Sequence, residues 1–177
     1  MTDKPEVLHE GKFLRFVKKG RWEYVERTNC DVAVVIIAMT DEGHVLFTEQ
    51  FRVPMNARVI ELPAGLAGDS AEFHGESLLI AAERELREET GYAAARLEVL
   101  AEGPISPGLS TERIALVRAT GLSKVSDGGG DETENIVTHE VLLGEVEEWL
   151  DRKRAEGIIV DPKIFSGLYF LGRGMDG

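Results

Sequence analysis

The chain has 177 residues, with 32 acidic against 20 basic side chains, a formal net charge of −12 and a pI near 4.8. This length and 43% apolar content predict one folded domain with a real core, and they exclude wholesale disorder. The acidity excludes a duplex nucleic-acid binder, which needs clustered Lys and Arg to displace counterions.

The longest apolar run, Val32 to Met39, is too short to span a bilayer, and no basic-then-apolar leader opens the sequence. A lone cysteine, Cys30, cannot form an intrachain disulfide, so a reducing cytoplasm is the expected compartment. In chain order, Lys12 to Lys18 and Trp22 to Arg27 read as a β-hairpin turning at Gly20. Asp31 to Met39, rich in Val and Ile, reads as a buried strand, with His44 to Gln50 its antiparallel partner across Asp41-Glu42-Gly43. Arg58 to Leu62 is a short strand ended by Pro63, and 66–75 reads as a loop. Helical periodicity runs from Glu76 to Thr90, with Gly91 as the stop. Strands follow at Arg96 to Ala101, Glu112 to Arg118 and Asn135 to Leu142, the last two separated by a Gly- and acid-rich mobile loop over 126–134. Glu145 to Glu156 is a helix with Val146, Trp149 and Leu150 on one face. Asp161 and Pro162 open a final helix whose buried stripe is Ile164, Leu168 and Leu171. Hairpin-linked strands outnumbering helices predict a mixed α+β layer architecture.

The most informative stretch is Arg84-Glu-Leu-Arg-Glu-Glu-Thr-Gly-Tyr92. At about 100° per residue, Glu85 and Glu89 sit within roughly 40° of each other, and Glu88 about 60° to the other side. Three carboxylates therefore share a face, apart from an apolar stripe of Leu79, Ala82 and Leu86. Crowded hard-oxygen ligands on a rigid helix suit Mg²⁺ or Mn²⁺. The bland alternative is a solvated face laced by Arg84–Glu88 and Glu83–Arg87 pairs.

Glu76, seven intervening residues and then Arg84 through Tyr92 resemble the second part of the Nudix hydrolase signature, Gly-x5-Glu-x7-Arg-Glu-U-x-Glu-Glu-x-Gly-U. The first part departs from it, because Ser70 stands where the signature has glycine. Aligning that glycine with Gly65 requires a five-residue insertion, which a surface loop tolerates cheaply. The resemblance implies an α/β/α sandwich of mixed sheet between helices. It also implies a division into an N-terminal β extension (1–30), serving dimerisation and substrate contact, and a Nudix domain (31–177).

Trp22-Glu-Tyr-Val-Glu-Arg27, Glu49-Gln-Phe-Arg52, Glu61-Leu-Pro-Ala-Gly65, Ser106-Pro-Gly108 through Glu112, and Asp131-Glu-Thr-Glu134 look like the ADP-ribose pyrophosphatase branch. That branch implies a homodimer in which the partner's N-terminal strands help build the substrate site. It implies metal ligation by Glu85, Glu89, the Ala64 carbonyl and Glu134, with Glu88 assisting and Arg84 orienting the carboxylates. Glu132 would be the general base, with Glu134 the second candidate. Trp22 would stack on adenine, Arg27 and Arg52 would contact phosphate or the terminal ribose, and Glu112 would bind sugar hydroxyls. Leu66, Ser106 and Gly108 would also touch substrate. Trp22 has a competing role as a hairpin core aromatic, Arg27 and Arg52 as surface ion-pair partners, and Glu132 and Glu134 as solvated acids of a loop.

The chemistry accounts for these residue types. A pyrophosphate repels nucleophiles; divalent cations offset its charge and lower the pKa of water, and a carboxylate takes the proton. The expected reaction is Mg²⁺-dependent hydrolysis of ADP-ribose to AMP and ribose 5-phosphate. Another nucleoside diphosphate sugar such as GDP-mannose is the alternative substrate, and a catalytically silent nucleotide-sugar sensor the alternative class. The terminal Gly172 to Gly177 run spells G-x-G-x-x-G but has no following helix to present amides to a phosphate. The four histidines lack zinc-ligand spacing.

Overall fold

The computed structural model describes residues 4–30, 32–68, 73, 75–130 and 135–173. Three strands, β1 (Glu6–Glu10), β2 (Leu14–Lys19) and β3 (Trp22–Arg27), form an antiparallel sheet. The hairpin expected over 12–27 is present, with β1 added at its edge. Strand β1 has no alternation of apolar and polar residues, and all five of its positions are exposed.

Next come β4 (Val32–Ala38), β5 (His44–Arg52), β6 (Ala57–Glu61) and β7 (Ala64–Leu66), then helix α1 (Leu78–Thr90). The chain continues through β8 (Tyr92–Pro104), β9 (Arg113–Lys124), β10 (Val137–Leu142), α2 (Val146–Ala155), β11 (Ile159–Val160) and α3 (Lys163–Arg173). One four-stranded sheet has the order β7-β4-β9-β8, the other β10-β5-β6-β11. Both are mixed: β4 runs parallel to β9, and β11 parallel to β6.

Strand β4 is the spine because both its faces are buried, which is why it reads as an unbroken apolar run. Val34, Ile36 and Ala38 pack with Ala81, Ala82 and Leu86 of α1. Val35 and Ile37 pack on the opposite side with Val146 and Leu150 of α2 and Ile164 and Leu171 of α3. Each fully buried Val or Ile contributes about 1.5–3 kcal/mol, so this strand anchors both helical layers. The result is the expected α/β/α sandwich.

Several expected boundaries move. Helix α1 begins at Leu78 rather than Glu76, because the Ser77 hydroxyl accepts the Ile80 N–H and caps it. Its buried stripe runs through Ala81, Ala82 and Leu86, while Leu79 is 37% exposed. Strands β8 and β9 run to 13 and 12 residues, well beyond the expected bounds, since they pair with each other from Tyr92–Lys124 to Pro104–Arg113. Leu66 belongs to a short strand rather than a loop, because Ala64–Leu66 pairs with β4. The final helix opens as read: Asp161 Oδ1 accepts the Lys163 N–H at 2.8 Å.

Candidate active site

Strand β7 brings the main chain of Ala64–Leu66 against the acidic face of α1. Pairing with β4 and a 2.8 Å bond from Ile36 N–H to the Pro63 carbonyl fix its position. Glu89, only 4% exposed, accepts the Ala64 N–H at 2.9 Å. Gly65 approaches α1 so closely that a Cβ there would lie 1.8 Å from Glu85 Cδ. A glycine is therefore required at position 65, the position with which the signature glycine aligns.

Arg84 organises the surrounding carboxylates. Its guanidinium donates to Glu76 Oε1 at 2.9 Å, Glu85 Oε1 at 2.8 Å, Glu88 Oε2 at 3.1 Å and the Leu66 carbonyl at 3.2 Å. The Phe73 ring covers it, 4.3 Å from guanidinium carbon to ring centre. Burial alone would lower the Arg84 pKa, but the Glu76 and Glu85 carboxylates outweigh that and raise it. Burial pushes the Glu76 carboxyl up, and the hydrogen bonds from Arg84 and the Gly68 N–H more than offset this, holding it below the usual range. Arg84 thus pairs with Glu76, Glu85 and Glu88 at once.

Glu85 and Glu89 line a cleft of about 470 Å³. One wall, from β3, β4, β9 and the segment before β9, carries Arg27, Ala33, Ile105 and Glu112. The facing wall, from β5, β6 and α3, carries Gln50, Arg52, Glu61 and Lys163. Arg27 Nε donates to Glu112 Oε1 at 2.5 Å, and Arg52 Nε to Glu61 Oε2 at 2.6 Å. The two arginines are thus ion-paired and cleft-lining at once. Pairing of this kind holds long, flexible side chains in place before a ligand arrives.

The structure gathers Arg27, Arg52, Ala64, Leu66, Glu85, Glu89 and Glu112 in this cleft. Glu88 does not line it: its side chain is half exposed and paired with Arg84, so the three carboxylates do not converge on one space. Trp22 and Gly108 line a different cleft of about 500 Å³ with Tyr24, Lys19 and Thr111. The cause is strand alternation: Trp22 and Tyr24 project from one face of β3 and Arg27 from the other. Trp22 is 55% exposed, which corrects its reading as a hairpin core aromatic. Ser106 makes a turn, its carbonyl accepting the Leu109 and Ser110 N–H groups, and it lines neither cleft. Glu132 and Glu134 lie outside the described residues. The chain leading towards them is anchored to α1, where the Glu89 and Glu88 carbonyls accept the Gly129 and Gly130 N–H groups at 2.9 and 3.0 Å.

Three polar residues of the cleft, Gln50, Glu61 and Lys163, lie outside the set expected from the sequence. Gln50 shares a strand face with Arg52 two residues on, a signal that period-2 alternation could have supplied. Glu61 could have been found as the partner of Arg52. Lys163 carried no sequence signal, because only the folding of α3 beside β6 brings it there.

Glu85 and Glu89 are hard oxygen donors one helical turn apart, beside the Ala64 main chain, and this set fits a divalent cation. Among the described residues no three Asp, Glu, His or Cys side chains gather into a metal-binding group.

A parallel β4–β9 pair flanked by helices, with an acidic helix edge facing a glycine-bearing strand, defines a class that comparison with known proteins names. The NUDIX domain family model matches residues 31–158, and the chain belongs to the Nudix hydrolase family. The "Methanol dehydrogenase activator" of Bacillus methanolicus is 36% identical, over 96% of this chain and 91% of that protein. The "ADP-ribose pyrophosphatase" of Bacillus subtilis (strain 168) is 37% identical over 63% of this chain and 58% of its own length. Among solved structures, one described as "Crystal structure of ADP compounds hydrolase" matches with a TM-score of 0.73, covering 98% of this chain and 92% of that chain. Its 23% identity makes that a likeness of fold. Nudix hydrolases generally use divalent metal cations.

Proposed function

We propose that this protein hydrolyses the pyrophosphate bond of ADP-ribose to AMP and ribose 5-phosphate, using Mg²⁺. The observation that carries the reading is the shared cleft, which Glu85 and Glu89 line together with Arg27 and Arg52. A diphosphate ester needs cationic donors for its non-bridging oxygens, and carboxylates to hold the cation that offsets the remaining charge. Glu85, Glu89, the Ala64 carbonyl and Glu134 are the proposed holders of that cation, which supplies charge neutralisation and a more acidic water. In the reaction the oxygen of water bonds to one phosphorus, the bridging P–O bond breaks, and Glu132 accepts the proton. Glu88 supports this through Arg84, whose contacts keep Glu85 in position. The single cysteine and the absence of a membrane-length apolar helix among the described residues fit a cytoplasmic setting.

Trp22 bears on the same reading through a dimer. Within one chain it cannot reach the cleft holding Arg27, because it lies on the opposite face of β3. A second copy presenting its N-terminal sheet would supply an aromatic for the adenine, and Gly108 and Ser106 would shape that surface. Exposed Val7, Leu8, Phe13, Leu14 and Phe16 on or beside β1 and β2 give such an interface its apolar content.

The test is a panel of nucleotide sugars with Mg²⁺, scored for monophosphate products. Glu85→Gln and Glu89→Gln are each expected to lower kcat on ADP-ribose about tenfold or more. Faster turnover of GDP-mannose would reassign the substrate. Calorimetric binding of ADP-ribose with no turnover would instead make the protein a sensor. The full-length likeness to the methanol dehydrogenase activator supports a second reading, in which the same cleft serves activation of a dehydrogenase. Adding wild-type and Glu89→Gln protein to a methanol dehydrogenase assay separates the two.

A further inference from the structure

Lys163 lies far in sequence from every motif of the cleft, yet it lines the cleft beside Arg52, Gln50 and Glu61. Its placement is built in three steps. Parallel pairing of β11 with β6 ends in a 3.0 Å bond from Asp161 N–H to the Ile60 carbonyl, one residue from Glu61. The Asp161 carboxylate accepts the Lys163 N–H through one oxygen and contacts Nζ through the other. The Lys163 side chain is 25% exposed and that of Asp161 12%, so the ammonium is held at the cleft wall rather than ranging through solvent.

The wall's composition limits what it can recognise. Gln50, Arg52 and Lys163 supply donors, Arg52 held by Glu61 and Lys163 by Asp161, and among the described residues no aromatic side chain lines the cleft. A nucleobase is bound by stacking, which needs an aromatic face; a sugar phosphate is bound by donors and charge. Lysine suits a phosphate approached from variable directions, because its ammonium is a rotatable point charge rather than a planar fork.

We propose that Lys163 is a substrate-binding residue that contacts the phosphate of the non-nucleoside half of the substrate, with Asp161 as its positioning residue. This rests on the nucleoside diphosphate sugar reading above and assigns the β5–β6–α3 wall to the sugar-phosphate end. It makes Lys163 a determinant of which diphosphate esters are accepted.

The test compares wild type, Lys163→Met and Lys163→Arg. Lys163→Met is expected to raise KM for ADP-ribose about tenfold while kcat stays within about twofold, the loss of one charge-assisted contact made in ground and transition states alike. Its inhibition constant for ribose 5-phosphate should rise in the same proportion and that for AMP should not, and Lys163→Arg should recover most of the loss. An unchanged KM, or equal weakening of ribose 5-phosphate and AMP, overturns the assignment. A measurement on wild-type protein needs no variant to fold: ribose 5-phosphate, and not AMP, should protect Lys163 from acetylation by an amine reagent mapped by mass spectrometry. Equal labelling with and without ribose 5-phosphate overturns the assignment independently. Failure of wild type to hydrolyse any nucleotide sugar would strike the functional reading, while the protection experiment would still report on Lys163.

Discussion

At Gly65 the main chain of β7 passes so close to Glu85 that no side chain fits between them. Gly65→Ala would place a methyl carbon inside the Glu85 carboxylate and push it off the cleft edge. Overpacking of this kind costs about 1–3 kcal/mol, so the protein should remain folded. The expected result is a loss of kcat of about tenfold or more with a small fall in melting temperature, read by steady-state kinetics and thermal denaturation. Arg84 is the opposite case, a side chain whose removal leaves charges behind. Arg84→Met would strand Glu76, whose side chain is 7% exposed, and Glu85, 15% exposed. Breaking a buried pair in this way costs about 3–5 kcal/mol. Denaturant unfolding should register that loss, whereas Arg87→Met on the exposed flank of the same helix should barely register.

Helix α2 is tied to the sheet by a buried charge as well as by Val146 and Leu150. Glu49 of β5, 6% exposed, accepts hydrogen bonds from Arg58 of β6 at 2.5 Å and Lys153 of α2 at 3.3 Å, and meets His139 Nε2 of β10 at 2.9 Å. Burial raises the Glu49 pKa, but Arg58, His139 and Lys153 together bring it below its ordinary 4.5. Burial, with help from the Lys153 and Arg58 charges, lowers His139 below 6.5 against the pull of Glu49. Both groups bind fewer protons folded than unfolded, so both stabilise at higher pH and lose that contribution as pH falls. The melting temperature should fall as pH drops below about 6.5 and again below about 4.5. His139→Gln should remove the first step and Glu49→Gln the second, as followed by calorimetry. The elements were legible to different degrees for the same kind of reason. The double-sided burial of β4 and the cap of α3 at Asp161 are local patterns, and the sequence carried them. Strand β1 is exposed at every position and so lacked a pattern. Glu88 looked equivalent to Glu85 and Glu89 on a helical wheel; only the tertiary placement of β7 decides which carboxylates face the cleft. Lys163 belongs to that second kind.

At the scale of the whole molecule, the residues proposed to bind substrate line two clefts, on opposite faces of β3. If two copies join them, light scattering should give the mass of a homodimer, and Trp22→Ala should raise KM for ADP-ribose more than it changes kcat. Mixing is the sharper test. A Trp22→Ala chain and a Glu89→Gln chain, each impaired alone, should form heterodimers in which one site has both intact residues, restoring up to about a quarter to a half of wild-type activity depending on how the chains assort. Activity equal to the average of the two parents would mean that each chain works alone. The net charge of −12 also acts at this scale. It keeps the surface soluble, while in the cleft Arg27, Arg52 and Lys163 stand beside Glu61, Glu85, Glu89 and Glu112, so the proposed anionic substrate needs a bound cation as well as the basic side chains.

The segment between β9 and β10 is closed at its base. Gly91, at φ 76°, turns the chain out of α1, and its carbonyl accepts the Val125 and Ser126 N–H groups. The Gly129 N–H donates to the Glu89 carbonyl, and the Gly129 carbonyl accepts the Ile136 N–H at 3.3 Å. The ends of the connection are therefore pinned whatever residues lie between them, and the entropy of closing it is already met by the stem. Such a stem behaves as a socket: exchanging the sequence between Gly130 and Asn135 leaves the stem's own hydrogen bonds to α1 and to Ile136 in place. A library confined to this stretch should retain the parental melting temperature, and by the proposed roles of Glu132 and Glu134 only members that keep those two carboxylates should retain activity.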